Sequence, residues 1–319
     1  MKKYLVALLG LFVTLGLVGC SQKAETPVAE TITITALDPN ENPVEVTVPK
    51  NPEKVVVLDY AALDVIDSIG EGDSVVGTSN IIVDYLDAYN AEDIAKLGSL
   101  KEPDLEGIMA CNPDIIFIGG RMAKHYDALS EIAPVVFLQT DRSLGVPVAT
   151  ENNAKVIASI YGKEDLIKEK MAAFNDRLAA LQEVGNGKTA VVGLTTGGAY
   201  RVVDNMSKCS LVASGAGFEN LGNNVEKADG AHGNEVSFEY IVNEQPDYIF
   251  VMDRDAAIGK KEAAPAREIM NNELIEQTEA YKNGHIIYLE PAGVWYMAEG
   301  GITALDMMIT DLETNLLNK

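Results

Sequence analysis

DLEGIMACNPDIIFIGGR (residues 104–121) decides the fold, because a second stretch, SFEYIVNEQPDYIFVMDR (237–254), repeats it without a gap. Seven of the eighteen aligned positions are identical, where about one identity would be expected by chance. The copies lie 133 residues apart, a spacing too long for a solenoid repeat. The repeat therefore predicts two domains of one architecture that arose by duplication.

Strand and helix patterns alternate on both sides of the repeat. The alternating runs TITITALD and VEVTV predict a β-hairpin, and VVVLD at 55–59 is typical of a buried parallel strand. The second half repeats the alternation with TAVVGLT (189–195) and HIIYLE (285–290), before a closing helix from about 301 to 317. Strands that alternate with helices predict an α/β fold with largely parallel sheets.

A helical pattern connects the two halves over residues 151–184, with a break near Tyr161 and Gly162. In its second part, apolar residues recur at helical spacing, namely Leu166, Met171, Phe174, Leu178 and Leu181. A long helix between two similar domains indicates a stiff connection. We therefore expect two pseudo-symmetric Rossmann-like lobes with mainly parallel sheets, joined by one long α-helix.

The N-terminus has the pattern of a signal peptide. MKK supplies positive charge, residues 4–18 form an uncharged and largely apolar run, and LVGC ends at Cys20. A cysteine directly after LVG is similar to a bacterial lipobox, which makes Cys20 the expected lipidation site. The alternative is a short membrane anchor with a chance cysteine, but the apolar run is too short to span a membrane comfortably.

These patterns divide the chain into five parts. We expect a signal peptide over 1–19, a lipid-anchored flexible linker over 20–32, an N-terminal α/β lobe over 33–148, an interlobe helix over 149–186 and a C-terminal α/β lobe over 187–319.

The chain is strongly acidic, with a formal charge of −23. Removal of the leader takes away two lysines and no acid, so the mature chain carries −25. This charge argues against nucleic acid or an anionic membrane surface as a partner. It also makes any local cluster of positive charge informative.

Each copy of the repeat ends on an arginine, Arg121 in the first copy and Arg254 in the second. Both follow a predicted parallel strand, and ligands of open α/β sheets bind outside the carboxyl ends of the strands. Because the chain has only six arginines, two at equivalent strand ends predict a cleft for carboxylate, phosphate or catecholate oxygens. The alternative is a surface salt bridge to Asp253 or Asp255.

The sequence lacks the motifs of common enzyme classes. It contains no GxGxxG, GxxxxGK[ST], HExxH, CxxC or GxSxG. The three histidines, His125, His232 and His285, include no pair at metal-site spacing, which argues against a receptor for bare zinc or manganese. We therefore expect a binding protein without a cofactor, although the fold alone leaves an extracytoplasmic enzyme or metallochaperone open.

Four further segments carry a resemblance to a known family. They are GGRMAKHYDAL (119–129), KADGAHGNEVSFEYI (227–241), PDYIFVMDRDAAIGKKEAA (246–264) and IIYLEPAGVWYMAEGG (286–301). Together with the lipobox, the duplicated lobes and the connecting helix, they resemble the iron–siderophore substrate-binding lipoproteins of ABC importers. The similarity covers essentially all of residues 33–319 and is greatest to receptors for catecholate siderophores of the petrobactin and enterobactin kind.

The resemblance implies that three basic residues hold the siderophore's catecholate oxygens. Two of these roles fall on Arg121 and Arg254. The third usually belongs to an arginine in a GxSRFG stretch, where this chain has NMSKCSLV, so Lys208 is the nearest match and Arg201 is the alternative. A lysine keeps the charge but lacks the planar fork of donors.

The resemblance also assigns roles to three further residues. His232 and Tyr296 stand where some relatives ligate ferric iron directly, and both phenolate and imidazole suit that ion. Trp295 and Tyr296 are expected to pack on the chelate. From the residues alone, His232 could equally be a surface histidine, and Tyr296 could be a core residue.

Glu106 and Glu239 begin equivalent helices of the repeat. By themselves they could be solvated helix starts, where the helix dipole favours an acid. The resemblance implies that they dock onto the two subunits of an ABC permease that works with an ATPase. It implies a monomer that is lipid-anchored on the extracytoplasmic face of the cell membrane. Receptors for haem, a cobamide or a hydroxamate siderophore remain alternatives.

Overall fold

The computed structural model describes residues 30–225, 234–235 and 238–318. The leader and Cys20 lie outside these residues. A β-hairpin precedes the first lobe, two consecutive helices connect the lobes, and the last helix packs against both connecting helices. Within residues 30–225 and 238–318, no helix is both long and apolar enough to cross a membrane.

The hairpin and the first lobe contain the first seven strands and the first three helices. The strands are β1 (Thr31–Leu37), β2 (Pro43–Pro49), β3 (Val55–Val57), β4 (Val75–Thr78), β5 (Ala95–Lys96), β6 (Ile115–Ile118) and β7 (Val135–Phe137). The helices are α1 (Tyr60–Ser68), α2 (Leu105–Cys111) and α3 (Tyr126–Ser130). The connecting helices are α4 (Val146–Ile160) and α5 (Glu164–Gly185).

The second lobe follows the same alternation. Its strands are β8 (Thr189–Thr196), β9 (Ala199–Val202), β10 (Glu219–Asn220), β11 (Asn234–Glu235), β12 (Tyr248–Asp253) and β13 (Ile286–Leu289). Its helices are α6 (Leu211–Ser214), α7 (Phe238–Glu244), α8 (Arg254–Ala257), α9 (Ala266–Ile269), α10 (Glu279–Lys282), α11 (Ala292–Met297) and α12 (Ile302–Leu316).

The two sheets share a parallel centre and differ at one side. The first sheet has the order β5-β4-β3-β6-β7 and all its pairs are parallel. The second has the order β11-β9-β8-β12-β13, in which β8, β12 and β13 are parallel and β9 is antiparallel to β8. A two-residue turn joins β8 to β9, and it requires glycine because Gly197 and Gly198 have φ of 59° and 83°. The expected α/β fold with mainly parallel sheets is confirmed.

The shared Pro-Asp of the sequence repeat has the same structural task in both lobes. The carboxylate of Asp114 accepts hydrogen bonds from the backbone N–H groups of Glu53 (3.0 Å) and Lys54 (2.9 Å), just before β3. The carboxylate of Asp247 accepts one from the N–H of Thr189 (2.9 Å), where β8 begins. Each aspartate therefore aligns its own strand with the neighbouring central strand, so the sequence repeat is a structural repeat.

The expected interlobe helix is divided into α4 and α5. The break comes at Gly162, whose φ of 63° ends α4 and lets the chain turn into α5. With 22 residues, α5 is about 33 Å long. Near its first turn, Lys163 Nζ donates to the carbonyl of Ile69 in the first lobe (2.8 Å). Near its last turn, Gln182 Nε2 donates to the carbonyl of Gly215 in the second lobe (3.0 Å).

The buried face of α5 differs from the predicted one at a single position. Leu166 is 40% exposed, and Ile167 is buried in its place, together with the other four predicted residues. Ile167 is four residues before Met171 and shares its face of the helix, whereas Leu166 is five residues before it and points to another face.

The last helix is joined to the first lobe by a buried carboxylate. Asp64 of α1 is fully buried and accepts hydrogen bonds from the N–H groups of Thr303 (2.7 Å) and Ala304 (2.8 Å), in the first turn of α12. The hydroxyl of Tyr85 also donates to Asp64 (2.8 Å). Gly301 allows this approach, since a Cβ there would lie 2.4 Å from the carboxylate. A negative group at a helix N-terminus is favourable.

We predict that Asp64→Asn lowers the free energy of unfolding by about 1–3 kcal/mol, because an amide nitrogen cannot accept and at least one buried donor loses its partner. Denaturant unfolding measures the loss. Asp73→Asn removes an exposed carboxylate of the same lobe and serves as the control. Equal stability of the Asp64 variant and the control would show that the contact between α1 and α12 does not stabilise the fold.

Candidate ligand-binding site

A cavity of about 470 Å³ lies between the lobes, at the carboxyl ends of the first-lobe strands. The first lobe contributes Asp59, Lys101, residues 119–121, residues 138–140 and Arg142 to its lining. Helix α4 contributes Asn153 and Ile157, and the second lobe contributes Lys208, Tyr296, Met297, Glu299 and Gly300. The cavity is therefore an interlobe cleft, as the two strand-end arginines predicted.

Arg121 reaches across the cleft from the first lobe. It follows β6 by two glycines and lies in a 3-10 turn over Gly120–His125. Its Nη2 donates a hydrogen bond to the backbone carbonyl of Tyr296 in the second lobe (3.2 Å). The first arginine of the repeat therefore lies where the strand-end argument placed it.

Arg254 approaches the same tyrosine from the second lobe. It is the first residue of α8, directly after β12. Its Nε donates to the hydroxyl of Tyr296 (3.0 Å), and its Nη1 donates to the hydroxyl of Thr196 (3.0 Å). The Asp255 carboxylate is 3.8 Å from Nη1. The alternative salt bridge is thus present, but as a longer contact beside two hydrogen bonds.

Tyr296 is close to both guanidinium groups. The centroid of its ring is 5.9 Å from Arg121 Cζ and 5.4 Å from Arg254 Cζ. Both distances are within the range of a cation–π interaction. The residue is only 9% exposed, so two cations from different lobes contact one largely buried side chain.

Lys208 and Arg142 add positive charge to the cleft. The sequence analysis predicted Lys208 but not Arg142. Lys208 lies in the loop after β9, and burial lowers its pKa to about 8, while the nearby Glu299 carboxylate opposes that shift. Arg142 comes from the first lobe, five residues after the end of β7. Its guanidinium forms a short salt bridge to Glu299, which also lies 3.6 Å from Lys208 Nζ. Arg142, like Arg121, follows the carboxyl end of a parallel strand, so its position in the sequence could have been recognised in the same way.

Three of the described residues expected at the site do not line the cavity. Arg254 contacts Tyr296, which lines the cavity, whereas the other two lie elsewhere. Arg201 is within β9, paired with Leu194 of β8, and the cleft is instead reached by Lys208, which lies beyond the strand. Trp295 is fully buried in the core, and its indole N–H donates to the carboxylate of Asp311 (2.9 Å). The expectation that Trp295 packs on a ligand is therefore wrong in this structure, and only its neighbour Tyr296 faces the cleft.

The remaining predicted residues are partly outside the described chain. His232 is not among the described residues. Glu106 and Glu239 are exposed and lie in the first turns of α2 and α7, at equivalent places in the two lobes. In the part of the chain that the structure describes, no group of three or more His, Cys, Asp or Glu residues could hold a metal ion.

The cleft has an excess of positive charge although the chain as a whole is acidic. Among the described residues that line the cavity, four are cationic (Lys101, Arg121, Arg142 and Lys208) and two are carboxylates (Asp59 and Glu299). Arg254 adds a further cation behind Tyr296. Planar guanidinium groups with spare donors are suited to paired anionic oxygens. The arrangement can therefore bind an anion of the size of the cavity.

The chain is similar to known binding proteins in sequence and in fold. The periplasmic binding protein family profile matches residues 55–292. The petrobactin-binding protein YclQ of Bacillus subtilis is 32% identical over 325 residues, which cover 99% of both chains. Its crystal structure superposes with a TM-score of 0.81 over 90% of this chain and 99% of YclQ.

Two further relatives come from Vibrio species. The catecholate-siderophore-binding protein VctP of Vibrio cholerae is 31% identical, with a TM-score of 0.79 over 89% of this chain and 100% of VctP. The ferric-anguibactin-binding protein FatB of Vibrio anguillarum is 27% identical over 304 residues, which cover 93% of this chain and 92% of FatB. The chain belongs to the periplasmic binding protein family, whose members are substrate-binding proteins.

Proposed function

We propose that the protein captures a ferric siderophore of the catecholate type in the interlobe cleft and delivers it to an ABC permease. The observation that carries this proposal is the meeting of Arg121 and Arg254, one from each lobe, on the ring of Tyr296. The names of YclQ and VctP, which bind petrobactin and a catecholate siderophore, support the choice of ligand.

The chemistry of the ligand matches the residues of the cleft. Catecholate oxygens around ferric iron carry negative charge and accept hydrogen bonds, so the guanidinium groups of Arg121 and Arg254 hold them as paired donors. Lys208 supplies a third charge without a planar fork. Tyr296 offers an aromatic face to the chelate. The protein binds and releases its ligand without a catalytic step.

We also propose that Tyr296 and His232 complete the coordination of iron when the siderophore leaves positions open, because phenolate and imidazole are suitable ligands. The hydroxyl of Tyr296 accepts a hydrogen bond from Arg254 in this structure.

The location follows from the N-terminus. We propose that the leader is removed, that Cys20 is lipidated, and that residues 20–32 tether a monomer to the extracytoplasmic face of the cell membrane. Expression with Cys20→Ala, followed by fractionation, tests this. Release of the variant from the membrane supports the anchor, and continued membrane association contradicts it.

We predict that Arg121→Gln and Arg254→Gln each weaken the binding of a ferric catecholate complex by roughly 10- to 100-fold, because each removes a charge-assisted hydrogen bond. Calorimetry and quenching of Trp295, the chain's only tryptophan, measure the affinity. Arg267→Gln removes an arginine that is 67% exposed and lies over Tyr288, away from the cleft, so it should bind normally.

Two results would contradict the proposed ligand. The first is wild-type affinity in both cleft variants. The second is a wild-type protein that prefers haem or a ferric hydroxamate to the ferric catecholate.

Lys208 makes binding depend on pH. Because burial lowers its pKa to about 8, the protonated, cationic form is lost as the pH rises through that value. We predict that affinity for an anionic ferric catecholate falls by about tenfold from neutral pH to well above pH 8. Lys208→Arg stays charged and should abolish the fall, and Lys208→Gln should bind weakly at every pH. Identical pH profiles for the wild type and the arginine variant would exclude this role.

Glu106 and Glu239 are proposed to contact the two permease subunits, since they occupy equivalent exposed positions of the two lobes. We predict that the double variant Glu106→Arg/Glu239→Arg binds the siderophore normally but supports uptake about tenfold less well. Glu183→Arg, an exposed change on α5, is the control. Normal uptake with the double variant would place docking elsewhere.

A further inference from the structure

Glu299 is a buried carboxylate at the lining of a cleft that otherwise favours anions. Its side chain is fully buried, and it follows α11 in the second lobe. One carboxylate oxygen receives Arg142 and lies 3.6 Å from Lys208 Nζ. The other accepts a hydrogen bond from the N–H of Cys209 (3.3 Å). A carboxylate in this position is held by both lobes.

Glu299 is the carboxylate that contacts two cations of the cleft. Arg142 comes from the first lobe and Lys208 from the second, and both also line the cavity. The Nε of Arg142 is buried and has no hydrogen-bond partner among the described residues. The guanidinium contacts Glu299 through Nη2. Because Arg142 also lines the cavity, its remaining N–H groups can hold a second anion. Positive charge at this end of the cleft is reduced by Glu299 but not cancelled.

We propose that Glu299 is the charge-selecting residue of the cleft. It occupies one anion position between Arg142 and Lys208 and repels an incoming anion, so it limits how strongly the protein prefers negatively charged chelates over neutral ones. This inference rests on the proposed function, because it concerns the charge of the same ferric ligand. It explains why an anion-binding cleft contains a fully buried glutamate.

The expected effect depends on the charge of the ligand. Replacing Glu299 by glutamine keeps the shape of the side chain and removes one negative charge from the cleft. At separations of several ångströms in a protein environment, one charge changes the affinity for an anion by about tenfold or more. The affinity for a neutral ligand should change by less than about threefold, since no charge interaction is altered.

The test compares two probes by calorimetry, an anionic ferric tris-catecholate and an electrically neutral ferric tris-hydroxamate. We expect Glu299→Gln to bind the catecholate at least about tenfold more tightly than the wild type, with little change for the hydroxamate. Titrations are made slightly below neutral pH, because loss of Glu299 lowers the pKa of Lys208 further. Glu169→Gln, an exposed change on α5 that alters the total charge equally, should change neither affinity.

A second variant separates charge from structure. Arg142→Gln/Glu299→Gln removes one charge of each sign, so it should return the ratio of the two affinities to within about threefold of the wild-type ratio. Glu299→Gln alone would leave the Arg142 guanidinium without its buried partner. The double variant removes both groups, so it can be measured even if the single variant does not fold. The inference is overturned if Glu299→Gln shifts both probes equally or weakens the catecholate, or if the double variant keeps a tenfold altered ratio.

The same titrations distinguish failure of the inference from failure of the proposed function. If wild-type protein binds neither probe, or prefers the neutral one, then the proposed ligand is wrong and the inference fails with it. If the wild type prefers the catecholate and Glu299→Gln leaves that preference unchanged, only the role of Glu299 is wrong.

Discussion

Two guanidinium groups from different lobes contact one buried tyrosine, and the arrangement of the cleft depends on this contact. Like charges at the bottom of a cleft repel each other and lose hydration, so each needs compensation. The Cζ atoms of Arg121 and Arg254 lie 5.9 Å and 5.4 Å from the centroid of the Tyr296 ring, within the range of a cation–π interaction. Thr196 and Asp255 add polar contacts on the side of the second lobe. The remaining positive charge is available to an anionic ligand.

The geometry of the cleft also depends on the relative position of the two lobes. Helix α5 makes contacts with the first lobe at one end and the second at the other. Asp64 adds a buried link between α1 and the N-terminus of α12. With a stiff helix and a buried carboxylate between the lobes, we expect small movements on binding rather than a large hinge closure. The affinity then comes from cations that are already in place.

Much of the fold was predictable because its determinants are local. The repeated segments predicted two similar lobes, and the shared aspartates Asp114 and Asp247 proved to align equivalent strands. Arg121 and Arg254 were predictable because a residue just past a parallel strand lies at the ligand-binding edge. The β8–β9 hairpin was missed, although Gly197-Gly198 between apolar residues is a hairpin signal.

The missing parts of the site depend on contacts between distant residues. Glu299 and Arg142 are separated by 157 residues, so no local pattern pairs them. The prediction that Trp295 faces the cleft was wrong for a different reason. Neighbouring residues on a helix point about 100° apart, and the rotation of α11 turns Trp295 into the core and Tyr296 towards the cleft. That rotation is fixed by the packing of α11 against α8, α12 and β12.

The most direct test of the central claim is a crystal structure of the mature chain with a bound ferric catecholate complex. We expect the chelate to lie between the lobes, with catecholate oxygens within hydrogen-bonding distance of both Arg121 and Arg254. A chelate that contacts only one lobe, or that binds outside the cleft, would contradict it.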